Sequence, residues 1–250
     1  MRWRANAAGS PTRAPAEAEF VVVGENGRVN KVAAGSSRVE EDYLRLIWKV
    51  EEWEQRGATP AELGAATGTV PSSVSGALGR LAKRGLIDHV PYGEATLTDE
   101  GRAIALRMVR RHRLIETLLV EQFGFQWDEV HEEAEELEHA VSDRLLGRID
   151  ELLGFPDHDP HGDPIPDSDG RIAVTSSTRL SEFRAGDEVT IVRVSDHEPA
   201  LLRFLEEQGL VPGEVVRVVS RNEFAGSMNL RVVEREVSLA LVAANAVWGA

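Results

Sequence analysis

The sequence predicts a mainly α-helical protein with a small β component: a winged helix-turn-helix, a helical middle region and a small C-terminal β-barrel. Three observations carry this prediction. Helical stretches recur at residues 39–53, 98–123, 128–142 and 143–153. Between residues 59 and 97 lie two short capped helices and a small hairpin. From about residue 177 the composition turns β, with five or so short strands in about 70 residues.

The elements follow in order. Residues 1–37 are rich in Ala, Gly, Pro and Ser around a short apolar patch, Phe20-Val21-Val22-Val23, and are expected to be a largely disordered extension. In 39–53, Tyr43, Leu46, Ile47, Val50 and Trp53 recur at helical spacing, with Asp42 off that stripe. Thr59-Pro60-Ala61-Glu62 combines a capping Thr, Pro at the first helical position and Glu three residues on. A second helix opens at Pro71 and ends near Gly85, with Val74, Leu78 and Leu81 inward. Residues 86–90 and 95–97 read as strands around Pro91-Tyr92-Gly93-Glu94. This is the element order of a winged helix-turn-helix, in which the second short helix enters the major groove. Its exposed opening, Pro71, Ser72, Ser73, Ser75 and Gly76, would let the backbone approach DNA, with Arg80, Lys83 and Arg84 behind it. Another small α+β module of similar order is the competing reading.

The helices after Thr98 carry more apolar surface than one helical hairpin hides, including Ile115, Leu118, Leu145 and Leu146, so residues 106–156 read as a dimerisation unit. Residues 157–169 (DHDPHGDPIPDSD) are dominated by Pro, Gly and Asp and read as a linker, set at 157–176, with His158 and His161 solvated. The remainder, 177–250, forms the β domain, with one short helix at 199–208.

At 250 residues more than one domain is expected, and 42% hydrophobic with 28% charged residues is ordinary for globular protein. No apolar run reaches the roughly 18 residues of a membrane span, and no secretory signal is evident. The chain has 0 cysteines, which excludes disulfides and thiolate metal ligands. A cytoplasmic protein is expected. The net charge of −14 argues against nucleic acid on average, but its distribution is uneven. The run GRAIALRMVRRHR carries Arg102, Arg107, Arg110, Arg111 and Arg113 without an acid, whereas residues 116–151 are strongly acidic. The basic half is expected to face phosphates and the acidic half to collect cations.

The acidic half centres on residues 130–140, VHEEAEELEHA, which contain neither Pro nor Gly and read as helical. On a helix Glu135, Glu138 and His139 share a face, with His131 one turn before Glu135. No Lys or Arg stands four residues away, so the carboxylates repel unless a cation fills the site. A solvated acidic helix is the plainer alternative. His112 and Glu116, four apart, share a face of the preceding helix.

Over residues 38–250 the chain resembles the diphtheria toxin repressor family of metal-dependent bacterial regulators. The motifs are Glu41-Asp42-Tyr43-Leu44, Pro71-Ser72-Ser73-Val74-Ser75, Arg111-His112-Arg113-Leu114 with Glu116, His131-Glu132-Glu133-Ala134 through Glu138-His139, Pro160-His161-Gly162 and Leu210-Val211-Pro212-Gly213. The resemblance implies a winged helix-turn-helix over 38–105, a helical metal-binding and dimerisation domain over 106–156 and an SH3-like, FeoA-like barrel. It also implies two metal ions per subunit, Mn²⁺ or Fe²⁺. One would use Asp42, Glu135, Glu138 and His139. The other would use His112, Glu116 and His131, with Asp196 or Glu198 from the barrel.

Iron-responsive members carry a sulfur-bearing residue at the positions of Asp42 and Glu135, so the carboxylates here point to the manganese-responsive branch and a hard ion such as Mn²⁺. Arg45 departs from the small manganese regulators, which have another acid there. The implied function is a Mn²⁺-activated repressor of metal-uptake genes, with an Fe²⁺-dependent repressor as alternative. Its implied partners are operator double-stranded DNA and a second copy of itself, with neither membrane nor small-molecule substrate. Residues 136–139 also contain the Glu-x-x-His of di-metal carboxylate bundles, but a second copy is missing. No nucleophile, triad or phosphate loop is seen, so no enzyme is expected. In the expected mechanism, metal relieves repulsion among Asp42, Glu135 and Glu138 and docks the first helix.

Overall fold

The computed structural model describes residues 21–23, 29–31, 37–90, 93–173 and 176–250. Strands β1 (Val21–Val23) and β2 (Val29–Lys31) pair antiparallel. The rest of the stretch expected to be disordered lies outside the described residues, apart from Ser37, which caps the first helix.

Helix α1 (Arg38–Glu54) starts at a capping box in which Ser37 and Glu40 bond each other's backbone. Helix α2 (Pro60–Thr67) starts the same way at Thr59 and Glu62, and α3 (Pro71–Lys83) follows after a short turn. The wing is β3 (Ile87–His89) against β4 (Ala95–Leu97); Pro91 and Tyr92 at its tip lie outside the described residues. Leu44, Ile47, Leu63, Val74, Leu78 and Leu81 close one core among these elements. Arg56 sits on the Glu62 carboxylate, with one N–O separation of 3.0 Å. The Arg56 bond, opposed by burial and aided by Thr59, lowers Glu62 from 4.5 to about 2. Its stabilisation is therefore complete above about 4.5 and lost as pH falls towards 2. Glu62→Gln is expected to cost at most about 1 kcal/mol, since solvent screens this exposed pair, a difference that urea titrations should see at pH 6 and find largely gone by pH 2.

Helix α4 (Asp99–Phe123) is the spine of the molecule. It enters beneath the wing, where Gly101 packs against Leu86: an added Cβ would lie 1.9 Å from that carbonyl oxygen. It leaves in contact with α5 (Val130–Glu138) and α6 (Asp143–Leu153). The sequence pattern extends α5 to residue 142, yet α5 stops at Glu138. His139 is its cap residue, the N–H groups of Ala140 and Val141 both bond Leu137, and Ser142 already caps α6. Leu145, Leu152 and Phe155 remain exposed along α6 and just beyond it.

Residues 157–169 are not a solvated linker. They form a strap between α4 and the β domain, with Asp159, His161, Asp163 and Ile165 buried. Arg113 donates to the Pro164 carbonyl at 2.6 Å, and Arg110 to that of Pro166 at 2.6 Å. Gly162, at φ +85°, lets the strap touch β6 (Glu188–Val194), where an added Cβ would lie 2.0 Å from the Val192 carbonyl oxygen.

The C-terminal domain has strands β5 (Thr178–Arg179), β6, β7 (Val215–Asn222), β8 (Ser227–Val232), β9 (Arg235–Ala240) and β10 (Val247–Gly249), in the order β5-β10-β6-β7-β8-β9. Helix α7 (Pro199–Gln208) and the short α8 (Leu241–Ala244) complete it. The start of β6 pairs with β7 and its end with β10, so the sheet folds over a core containing Val189, Ile191, Leu205, Val216 and Leu230. Among the described residues no helix is long and apolar enough to cross a membrane.

Candidate metal centre and nucleic-acid interface

The first side-chain group is assembled from three parts of the chain. His112 and Glu116 come from successive turns of α4, His131 from the first turn of α5, and Asp196 from the loop after β6. Their ligand-type atoms all lie within 4.8 Å of one another. Glu116 Oε1 is 3.0 Å from His112 Nε2 and 3.3 Å from His131 Nδ1. Asp196 Oδ2 is 3.4 Å from that same nitrogen. Buried Glu138 accepts from His112 Nδ1 at 2.7 Å, which points Nε2 into the group. Burial disfavours a charged imidazole, but Glu116, against opposition from Arg45, raises His112 to about 9. Burial likewise acts against the Glu116 carboxylate, and His112 and His131 overcome it and hold it well below the usual range.

A second group joins α1 to the end of α5: Asp42, Glu138 and His139. His139 Nε2 lies 2.7 Å from Asp42 Oδ1 and 3.5 Å from Glu138 Oε1, while its Nδ1 faces Glu41 at 3.2 Å. Glu135 is not brought into this group. It accepts from Arg45 at 2.7 Å and lies 3.5 Å from His131. Arg45, 6% exposed, also lies 3.5 Å from Glu138. The expected repulsion between Glu135 and Glu138 is therefore relieved by a guanidinium from α1. Sequence reasoning missed it because it looked for a cation on the same helix.

The third group went unseen in the sequence. Glu116, Asp159 and His161 are all buried, with ligand-type atoms inside the same 4.8 Å limit. His161 is 1% exposed, not solvated as expected of a linker residue. Its Nε2 donates to the Trp127 carbonyl at 2.7 Å, which leaves buried Nδ1 without a hydrogen-bond partner. Burial, Asp163 and Glu116 push Asp159 up to about 8. Glu116 thus stands between two donor clusters. Glu198 belongs to neither; its carboxylate caps α7 at Ala200, 3.3 Å away. Carboxylate oxygens and imidazole nitrogens, including one buried nitrogen without a partner, form donor sets that fit a divalent ion.

The helix expected to meet nucleic acid is α3. Pro71, Ser72, Ser73, Ser75, Gly76, Arg80 and Lys83 are all exposed, while Val74, Ala77, Leu78 and Leu81 hold the helix down. Arg80 and Lys83 enter no ion pair among the described residues. Arg84 turns away to Glu40 at 2.5 Å. The arginine run of α4 does not form the phosphate-facing patch expected of it. Arg102 pairs with Glu51, Arg110 with Asp150, Arg111 with Asp143 and Arg113 with Glu52; Arg107 alone of the five stays exposed.

Comparison with known proteins agrees with this architecture. Residues 36–95 match the iron dependent repressor N-terminal DNA binding domain, 98–167 the iron dependent repressor metal binding and dimerisation domain, and 178–250 the FeoA domain. The iron-dependent repressor IdeR of Mycobacterium leprae (strain TN) is 34% identical over 192 residues, 71% of this chain and 82% of that protein. A manganese-dependent transcriptional repressor in complex with manganese superposes at a TM-score of 0.81 with 46% identity, covering 84% of this chain and 98% of that one. The structure of ScaR with bound Zn²⁺ gives a TM-score of 0.72 with 32% identity, over 84% and 98% of the two chains. The chain belongs to the iron-dependent, diphtheria toxin repressor family and is a metal-dependent DNA-binding transcriptional repressor rather than an enzyme.

Proposed function

We propose that this repressor is activated by Mn²⁺, binds two ions per subunit and, as a homodimer, closes operators of metal-uptake genes. The observation that carries the metal assignment is the donor chemistry: oxygen and imidazole nitrogen only, in a chain with 0 cysteines, a combination that suits a hard ion. The 46% identical relative described as manganese-dependent supports the same reading. One ion belongs to Asp42, Glu138 and His139, with Glu135 joining once it leaves Arg45. The other belongs to Glu116, flanked by His112, His131 and Asp196 on one side and by Asp159 and His161 on the other.

When bound, the ion supplies a positive centre that two elements can share. The protein's part is mechanical. Asp42 ties α1 to the end of α5, and α1 packs on the core that carries α3. Fixing α1 fixes α3 relative to the dimerisation helices, where exposed Leu145, Leu152 and Phe155 offer a face to the second copy. Two such α3 helices then fit half-sites about one DNA turn apart. Ser72, Ser73 and Ser75 meet the groove floor, and Arg80 and Lys83 meet phosphates.

An Fe²⁺-dependent repressor is the second reading, favoured by the 34% identity to the mycobacterial iron-dependent repressor. Fluorescence anisotropy on DNA upstream of the target genes separates the two, using metal-stripped protein at buffered free Mn²⁺ or, anaerobically, Fe²⁺. Binding that appears within the cytosolic range of free Mn²⁺ and only weakly with Fe²⁺ is the expected result. An equal or better response to Fe²⁺ would transfer the assignment to iron.

A further inference from the structure

Lys49 takes no part in the scheme above, yet it pairs with Asp196, a carboxylate of the Glu116 centre. It lies four residues after Arg45 on α1, hence on the same face. Its Nζ is 2.8 Å from Asp196 Oδ1 and 2.9 Å from Oδ2, so a single ammonium occupies both oxygens of the carboxylate that the β domain contributes to the group. Both partners are largely buried, with side chains 14% and 6% exposed. Asp196 feels burial first and Lys49 second, and Lys49 with His131 holds it well below the usual carboxylate range.

We infer that Lys49 is a built-in competitor for the divalent ion at the Glu116 centre, latching Asp196 to the first helix until metal displaces it. The inference rests on the reading of Glu116 as a metal position. A hard divalent ion sits about 2.0–2.6 Å from a carboxylate oxygen. An ion that takes Asp196 therefore shares one buried carboxylate with an ammonium a few ångströms away, in surroundings that screen like charges poorly. Unlike a guanidinium, the ammonium is a compact point charge on a flexible stem and can swing clear.

The structure provides somewhere for it to go. Lys49 lines the small cavity beside His112 and Glu116, about 20 Å³, and also the cleft between α1, α2 and the β domain, about 560 Å³. It stands between the two. When it swings into the larger cleft, Asp196 becomes available to metal. The two parts remain attached through Arg179 to Glu54 at 3.0 Å and Trp53 against Trp248 at 4.4 Å between ring centres. Metal occupancy is then read directly by the helix that also carries Asp42.

The test is equilibrium Mn²⁺ binding to the full chain by calorimetry and metal-buffered dialysis, comparing wild type with Lys49→Met, Lys49→Arg and Glu116→Gln. Lys49→Met should tighten one class of site about tenfold or more, whereas Lys49→Arg, which keeps the charge, should not. Unchanged or weaker binding by Lys49→Met overturns the inference, since Lys49 would then be neutral or would support Asp196. Equal tightening by Lys49→Arg also overturns it, because the charge would not be the cause. If Lys49→Met loses the wild-type circular dichroism spectrum, Lys49→Gln replaces it under the same criteria. Glu116→Gln tests the underlying reading separately: retention of every wild-type Mn²⁺ site would remove Glu116 from the metal position, whatever Lys49 does.

Discussion

Replacing Asp42 by alanine is expected to abolish metal-dependent operator binding while leaving the fold intact. Asp42 is the member of the second group that α1 supplies; Glu138 and His139 come from the end of α5. Its Oδ1 lies 2.7 Å from His139 Nε2, so an ion held there spans two elements and biases how they dock. Without that carboxylate the ion can still bind Glu138 and His139, but it no longer distinguishes a docked α1 from an undocked one. A ligand without differential affinity shifts no equilibrium, however tightly it binds. The expected loss is at least about a hundredfold in metal-stimulated operator affinity. The Asp42 side chain is 33% exposed, so the circular dichroism spectrum and melting temperature should stay near wild type. Metal-stimulated binding within a few-fold of wild type would take Asp42 out of the site.

The largest effect on stability is expected from Arg113→Met. Arg113 is 5% exposed at the junction of α1, α4, the strap and the β domain. It meets Glu52 at 2.7 Å, Asp163 at 3.3 Å and Asp159 at 3.7 Å, and bonds the Pro164 carbonyl. Methionine fills the volume but removes the charge. Glu52 and Asp163 would then share Arg193 alone among these cations, and Asp159 would lose its guanidinium. Two buried carboxylates left to share one guanidinium are only partly compensated, so a loss of about 3 kcal/mol, the low end for breaking a buried pair, is expected. Urea unfolding of the metal-free protein measures it. A loss below about 1 kcal/mol would show that water reaches these carboxylates.

Much of the fold could be read from local signals because local physics decides it. Pro60, Pro71 and Pro199 open helices, and Gly124, Gly154 and Gly209 close them in the left-handed conformation. The end of α5 was not legible: residues 139–141 are compatible with helix, and the break comes from the early cap of Ser142 on the next one. The Pro- and Gly-rich strap looked like a linker because its composition carries no period. Its order comes from Arg110 and Arg113, which bond its carbonyls from 56 and 51 residues away.

The sequence by itself determined the three-part architecture, the exposed face of α3, and the side chains spaced three or four apart on one helix, such as His112 with Glu116. Those features depend on helix geometry, which any short segment carries with it. Tertiary structure alone decided which of these side chains come together and which cations hold them. Arg45 reaches Glu135 across 90 residues and Lys49 reaches Asp196 across 147, while His161 is buried against Trp127 from 34 residues away. The physical reason is that charge pairing depends on distance through space and on exclusion of water, and neither is set until α1, the strap and the β domain have packed around α4.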